Sequence, residues 1–439
     1  MSEIVRPKTL AGFQDVLPSE AIVKTKIIDT VKEVFSSFGF VPIETPHLEY
    51  TEVLMPQAAG EIEKQLYRFK DNGERDVCLR FDLTVPFARF LVQHKNELGL
   101  PFKRYAIGSC FRGESPQYGR LREFTQCDFD IVGVNSVCAD SEILQAIVTC
   151  FKKLGLENFT TRVSNRKLLS GLAEFVGLDN KAIELIRIID KKLKITSEKF
   201  EQLLEKELSC SPDQIKQILE FINLSNSSNE DTLEKLSEYT DKNDLFNQGV
   251  SELKTMFSIV NEIEGVTDNV KIDLSLARGL GYYTGHIFET ILNDCPEVGS
   301  VSGGGRYDNL TMSYEKQQTC GVGASIGVTR ILAALEKLNL NKKISTTAKL
   351  LVTLFDINLA GQVYTIADKL RQHKINVEVY PDADKLKKQF QYADRKGFDY
   401  VLILGPDELE TSEFTLKDMK TGKEQKILGI EMLINLLSI

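Results

Sequence analysis

Between Lys103 and Gly133 the chain concentrates residues whose types suit phosphate and amino-acid chemistry. Arg112 and Glu114 stand on one side of a Gly- and Pro-containing turn, GESPQYG, and Arg120, Arg122, Glu123, Phe124, Gln126, Asp128 and Asp130 follow it. Side chains two apart on a strand share a face. Gln126, Asp128 and Asp130 therefore line one face with Phe124 and Arg122, and Arg120 joins the set. So many polar groups facing one way suit water or a polar ligand; the interleaved Phe124 and the arginine before the turn favour a nucleotide. Upstream, LeuArgPheAspLeuThr at 79–84 admits two readings. As a strand it sets Asp82 and Thr84 on one face, where a carboxylate and a hydroxyl can hold a substrate ammonium group. As a strand-end turn it has no such task.

Two glycine-rich stretches add further candidates. ArgGlyLeuGlyTyrTyrThrGly at 278–285 joins a cation to adjacent tyrosines, and GlyGlyGlyArgTyrAsp at 303–308 has a similar character. Glycine permits close backbone approach, and a buried tyrosine hydroxyl needs a polar partner. A structural turn explains the glycines but not Arg278. GlyValGlyAlaSerIleGlyValThrArg at 321–330 fits neither the Rossmann spacing nor the P-loop pattern; its small alternate residues imply tight packing, and Arg330 projects from the helix that follows. Arg112, Arg120, Arg278 and Arg330 each abut a glycine-rich or hairpin motif, and planar guanidinium groups suit phosphate oxygens.

These residues need elements to hold them. Ile22, Ile27, Ile28, Val31, Val34 and Phe35 recur at helical spacing, which predicts a first long helix over 19–38. In FVPIETPHLE, Pro42 and Pro46 forbid a helix and favour an edge or interface strand. KRYAIGSCFR and RLREFTQCDFDIVG form an antiparallel hairpin across the GESPQYG turn. From 167 to 264 Leu, Ile, Lys and Glu recur at helical intervals, broken by SNSSNE at 225–230, so this reads as a mainly helical insertion into one interrupted sheet domain. A polar linker at 339–347 precedes alternating strands and helices over 348–439, a small, mostly parallel α/β domain. The fold class is thus α/β in the broad sense, α+β in the larger part.

Composition sets outer limits. The chain has 439 residues, 42% of them hydrophobic, more than one domain normally uses. No apolar run reaches the roughly 20 residues needed to cross a bilayer, and the first 20 residues show neither a secretory core nor a transit pattern, so a cytoplasmic protein with no membrane partner is expected. The eight cysteines show no CxxC pair, and the four histidines are dispersed, so reduced thiols and no structural metal are expected. A net charge of −9 argues against holding nucleic acid by bulk electrostatics. Local basic strips still serve RNA; Lys385 to Lys388 with Arg395 and Lys396 is a candidate, or an ordinary solvated helix face.

The order of these motifs resembles the class II aminoacyl-tRNA synthetases, and the histidyl-tRNA synthetase family in particular. Pro46 in FGFVPIETPHLE is similar to motif 1, a dimer-interface element; FRGE with GRLREFTQ is similar to motif 2, and GVGASIGVTR to motif 3. LARGLGYYTG and SGGGRYD look like the motifs specific to the histidine family, LRFDLT with Gln126 and Asp130 like its amino-acid pocket, and KLKKQFQYADRKG with VLILG like an anticodon-binding domain. The resemblance covers nearly the whole chain. Gly281 departs from it, standing where many members carry Asp, which bears on local hydrogen bonding.

The resemblance implies an antiparallel class II catalytic core over 1–338, interrupted by the insertion at 167–264, and an anticodon-binding domain over 348–439. It implies histidine–tRNA ligase activity: L-histidine and ATP, with Mg2+, give histidyl-adenylate, and tRNA-His receives the histidine, in a homodimer. Carried over by position, Arg112 and Arg278 hold the α-phosphate and the substrate carboxylate as the catalytic pair. Arg120 and Arg330 grip the outer phosphates, Phe124 and Arg330 sandwich the adenine, and Glu114 meets its amino edge. Asp82, Leu83, Thr84 and Gln126 seat the histidine backbone groups; Asp130 and Tyr283, with Tyr282, read the imidazole. Gln117 at the hairpin tip neighbours the tRNA acceptor end. The rival is a catalytically silent paralogue that senses histidine or regulates another enzyme.

Overall fold

The computed structural model describes residues 4–58, 61–192, 195–239, 243–277, 283–340 and 345–438. Two compact units divide the chain: residues 1–15 with 26–338, and residues 16–25 with 339–439. The first unit contains strands β1 (Val41–Pro42), β2 (Leu48–Tyr50), β3 (Arg68–Lys70), β4 (Asp76–Leu79), β5 (Phe102–Phe111), β6 (Glu123–Val132), β7 (Phe159–Asn165), β8 (Val270–Ile272), β9 (His286–Leu292), β10 (Ser300–Tyr307) and β11 (Gly321–Gly327). Eight of them form one sheet in the order β1-β5-β6-β11-β10-β9-β7-β8, and β2, β4 and β3 form a small second sheet. The central pairings are antiparallel; only the outermost, β1 with β5 and β7 with β8, are parallel.

The β5–β6 hairpin spans the predicted segment, and β1, with its Pro42, lies at the sheet edge, where a missing N–H is tolerated. Period two then sorts the two faces of β6. Cys127, Phe129 and Ile131 are buried on one side, where Phe129 meets Phe35 at 4.5 Å and Phe40 at 5.5 Å between ring centroids. Phe124, Gln126, Asp128 and Asp130 take the other side and line a cleft.

Helices fill the stretch between β7 and β8, from Arg166–Phe175 to Asp244–Val260. Several start on a side-chain cap that accepts a backbone N–H: Asn165, Thr196, Ser211, Ser228 and Asn243. Ser228 lies inside SNSSNE, so that polar break is a helix start. Leu168, Leu172, Phe200, Leu204, Phe221 and Leu253 bury the apolar faces. Among the described residues no helix is long and apolar enough to cross a membrane.

In the second unit β12 (Leu350–Val352), β13 (Val377–Val379), β14 (Tyr400–Ile403), β15 (Glu413–Asp418) and β16 (Glu424–Leu428) form a sheet in the order β13-β12-β14-β15-β16. The sheet is mixed, which corrects the expectation of a mostly parallel one: β12 pairs in parallel with β13 and β14, but β14–β15 and β15–β16 are antiparallel. The turn between Asp418 and Glu424, with Gly422 at φ +72°, is too short for a parallel crossover. Of the basic strip, Lys388 pairs with Asp384 at 2.6 Å, while Lys385, Lys387 and Arg395 are exposed.

Candidate functional site

A cleft of about 360 Å³ opens on the polar face of the large sheet. Its lining includes Asp82, Thr84, Arg112, Glu114, Arg120, Phe124, Gln126, Asp130, Tyr283 and Arg330, drawn from segments far apart in sequence. Arg278, Gly281 and Tyr282 lie outside the described residues.

The phosphate-suited arginines are held individually. Arg112 donates from Nε to the Phe81 carbonyl at 3.0 Å, and its guanidinium stands 5.0 Å from the Phe124 ring centroid. Arg120 pairs with Glu114 at 3.2 Å, and Arg330, in the first turn of the helix Val328–Lys337, donates to the Ser300 carbonyl. Gln117 is exposed at the tip, where its backbone exchanges hydrogen bonds with Arg120.

One expectation is corrected, and one open reading is decided. Arg122 leaves the shared face: it donates to the carbonyls of Glu114 and Ala11, and its chain packs where a side chain on Gly12 would stand. The segment 79–84 is not a strand throughout, since β4 ends at Leu79 and Thr84 begins the helix Thr84–Gln93. Asp82 explains the switch: its carboxylate accepts the Val85 N–H at 3.0 Å, closing a helix start whose first-turn amides lack internal partners. Leu83, between Asp82 and Thr84, buries its side chain with Ala106 and Cys110 beneath the cleft, which leaves its main chain as the part that can face a ligand.

The carboxylates form a buried trio. Burial pushes Asp82 and Asp130 up to about 6 and raises Asp128 as well. Asp128 accepts hydrogen bonds from Thr84 Oγ1 at 3.3 Å and Gln126 Nε2 at 3.4 Å; Gln126 also reaches Ser325 Oγ at 2.6 Å. Asp130 accepts the Tyr307 hydroxyl on Oδ1 and faces Arg104 Nη2 at 2.5 Å from Oδ2. Arg104 was not among the candidates, and Tyr307 stood among them only as part of the 303–308 stretch. The available signal was an arginine beside Lys103 in the run that faces the Asp130 strand, and a tyrosine closing the GlyGlyGlyArgTyr stretch.

Gly323 pairs with Asp130 across β11 and β6. A Cβ on Gly323 would lie 2.0 Å from Asp130 Oδ1, so glycine is what leaves room for the carboxylate. Gly304 is equally constrained, its Cβ position lying 2.3 Å from the Gly323 carbonyl oxygen.

Below the site, Asp140 receives Arg306 Nε at 3.1 Å on both oxygens and lies 3.1 Å from His286 Nδ1. Arg306 reaches Asp308 at 3.4 Å, and Thr284 donates to Asp308 at 2.6 Å, so the cluster pins residues beside Tyr283 and Tyr307. Burial alone would raise the Asp140 carboxyl, but hydrogen bonds and charge from His286 and Arg306 outweigh it and hold it below its ordinary value. That contribution to stability is fully present above the unfolded value of about 3.9 and is lost as pH falls through the lower folded value. Asp140→Ala leaves Arg306 with less compensation, and a loss of about 3 kcal/mol is expected in urea unfolding at neutral pH.

An antiparallel sheet whose hairpin, paired glycine strands and following helix surround a cleft of arginines and carboxylates defines a class II aminoacyl-tRNA synthetase catalytic core. Residues 12–331 match the family model described as histidyl-tRNA synthetase, and residues 341–438 match that of the anticodon binding domain. The histidine–tRNA ligase of Helicobacter hepaticus is 48% identical over 422 residues, 95% of this chain and 96% of that protein. That of Wolinella succinogenes is 48% identical over 98% of this chain and 97% of its own length. The crystal structure of histidyl-tRNA synthetase from Nostoc sp. PCC 7120 superposes with a TM-score of 0.90 at 33% identity, covering 99% of each chain. The chain belongs to the histidyl-tRNA synthetase family.

Proposed function

We propose that the cleft activates L-histidine with MgATP and passes the product to the terminal ribose of tRNA-His. One observation carries the residue assignment: Arg112, Arg120 and Arg330 share a cavity with Asp82, Gln126 and Asp130. A histidine carboxylate oxygen attacks the α-phosphorus, the bond to the bridging oxygen breaks, and pyrophosphate leaves. A ribose hydroxyl then attacks the adenylate carbonyl, and AMP leaves. The first step brings an anion to an electron-rich phosphorus, so positioning and fixed positive charge supply most of the catalysis. Arg112, with Arg278, neutralises the α-phosphate and the attacking carboxylate. Arg120 and Arg330 hold the outer phosphates, Phe124 and Arg330 enclose the adenine, and Glu114 meets its amino edge. Magnesium enters as part of the nucleotide substrate.

Asp82, Thr84 and Gln126 receive the α-ammonium group. Asp130 and Tyr283, with Tyr282, read the imidazole, whose neutral ring offers one donor and one acceptor. An apolar side chain of similar size leaves those groups unmatched, a penalty of roughly 10⁴-fold or more. The unit ending at Ile439 reads the anticodon, the helices of 167–264 hold the acceptor stem near Gln117, and the enzyme works as a cytoplasmic homodimer. The cluster of cleft arginines disfavours the silent-paralogue reading, since a histidine sensor has no need of a phosphate grip.

A panel of amino acids in ATP–pyrophosphate exchange tests the specificity. Histidine is expected to support exchange at least about 10⁴-fold better, in kcat/KM, than leucine, phenylalanine or glutamine. Comparable exchange with any of these would refute the imidazole pocket.

A further inference from the structure

Arg104 is a fully buried arginine that none of the assignments above uses. It stands directly across β5 and β6 from Asp130. Its Nη2 lies 2.5 Å from Asp130 Oδ2 as a close ion pair without hydrogen-bond geometry, and none of its three nitrogens has a hydrogen-bond partner among the described residues. The Phe87 ring centroid, 4.0 Å from the guanidinium carbon, covers the rest of the group. Removing a guanidinium from water costs several kcal/mol, and a single ion pair with one aromatic contact offsets this poorly. Methionine or leucine would fill the same space over Phe87 at lower cost, so the charge requires another reason.

That reason lies in what Asp130 must present to its ligand. We propose that Arg104 is a specificity-determining residue acting through Asp130: its ion pair keeps that carboxylate an acceptor only, able to take a ring N–H from the substrate but not to donate. This rests on the reading of Asp130 as a contact to the imidazole.

The surroundings supply the physical argument. Asp130 receives the Tyr307 hydroxyl on one oxygen and faces Arg104 on the other, and each oxygen keeps a lone pair for a further donor. Gly323, from β11, adds no side chain to the space beside it. The neighbouring ionisable groups of the cleft are Asp128 and Asp82, which oppose a charge on Asp130, Arg112, which favours it, and Tyr283. Burial drives Asp130 upward, Arg104 is the largest influence opposing that, Asp128 adds to the rise, and the Tyr307 hydrogen bond counters it. Without Arg104, burial and Asp128 would be met chiefly by Tyr307, and Asp130 would carry a proton at neutral pH. A protonated carboxyl both donates and accepts, so it no longer distinguishes a ring N–H from a ring acceptor.

The test compares the full-length enzyme with Arg104→Met, Asp130→Asn and the double variant in ATP–pyrophosphate exchange from pH 6 to 9. Dividing each variant's histidine KM by the unsubstituted enzyme's at the same pH cancels histidine's own titration. Arg104→Met is expected to raise histidine KM about tenfold at pH 7, with the penalty shrinking toward pH 9 as Asp130 ionises unaided. The ATP KM should stay within about twofold, and the double variant should be no worse than Asp130→Asn alone. A penalty that is the same at every pH, or no penalty, overturns the role of Arg104 while leaving the imidazole pocket in place. An unchanged histidine KM in Asp130→Asn overturns the pocket reading itself, and this proposal with it. If Arg104→Met does not fold, carboxyl carbon NMR of aspartate-labelled enzyme decides, with the Asp130 signal assigned through Asp130→Asn. Ionisation that persists down to about pH 6 supports the proposal; a carboxyl still protonated at pH 7.5 rejects it.

Discussion

Arg112→Ala is expected to lower kcat/KM for histidine-dependent ATP–pyrophosphate exchange about 10³-fold, the scale on which a fixed positive charge stabilises phosphoryl and acyl transition states. The side chain suits that role because it is anchored without being neutralised. Its Nε is fixed by the Phe81 carbonyl, its plane is set over Phe124, and it opens on the cleft. Among the described residues no carboxylate forms an ion pair with it. Arg112→Lys should recover only a small part of the rate, since an ammonium group cannot reproduce the planar fork. A loss below tenfold, with the thermal midpoint unchanged, would remove Arg112 from the reacting centre.

Gly323→Ala should raise histidine KM about 100-fold while ATP KM changes little, with a stability loss of about 2 kcal/mol. The new methyl group would meet Asp130 Oδ1 at 2.0 Å, Asp130 Cγ at 2.5 Å and the Phe129 carbonyl oxygen at 2.7 Å. The carbonyl belongs to the paired backbone of β6 and cannot swing away, so Asp130 must leave its place between Arg104 and Tyr307. Steady-state kinetics with each substrate varied in turn, beside urea unfolding, separates the two effects. Equal rises in both KM values would show a general collapse of the cleft and sink the argument from Asp130.

Much of this arrangement was legible in the residues. The hairpin announced itself through a Gly- and Pro-containing turn between two strand-like runs, and period two put Phe124, Gln126, Asp128 and Asp130 on one face. The helices of 166–260 were readable from Leu, Ile, Lys and Glu at helical intervals; the Asn, Thr and Ser caps that start them are a further local signal. What was hidden depends on distance along the chain. Arg104 becomes a partner of Asp130 only once the cross-strand register is known, and an irregular turn at 113–121 leaves that register open. The residues of 79–84 fit a strand and a strand-end turn alike, and it is the Asp82 carboxylate, accepting the Val85 N–H, that turns the chain into a helix. Arg122 deviates for a tertiary reason, the passage of the segment at Ala11 and Gly12 over the end of the hairpin. In the mixed sheet of the second unit a short turn dictates the antiparallel pairing of β15 with β16, while the reversal between β14 and β15, across the helix Pro406–Thr411, leaves no such local mark.

The paired glycine strands also limit what shapes can enter. Gly303, Gly304 and Gly323 contribute to the cleft wall, so part of that wall is main chain fixed by the ladder between β10 and β11. A wall of side chains can yield by rotamer exchange, but a wall of backbone atoms has no such freedom. It therefore works as a rigid gauge, and an inhibitor built for this recess would have to match that stretch of wall as it stands.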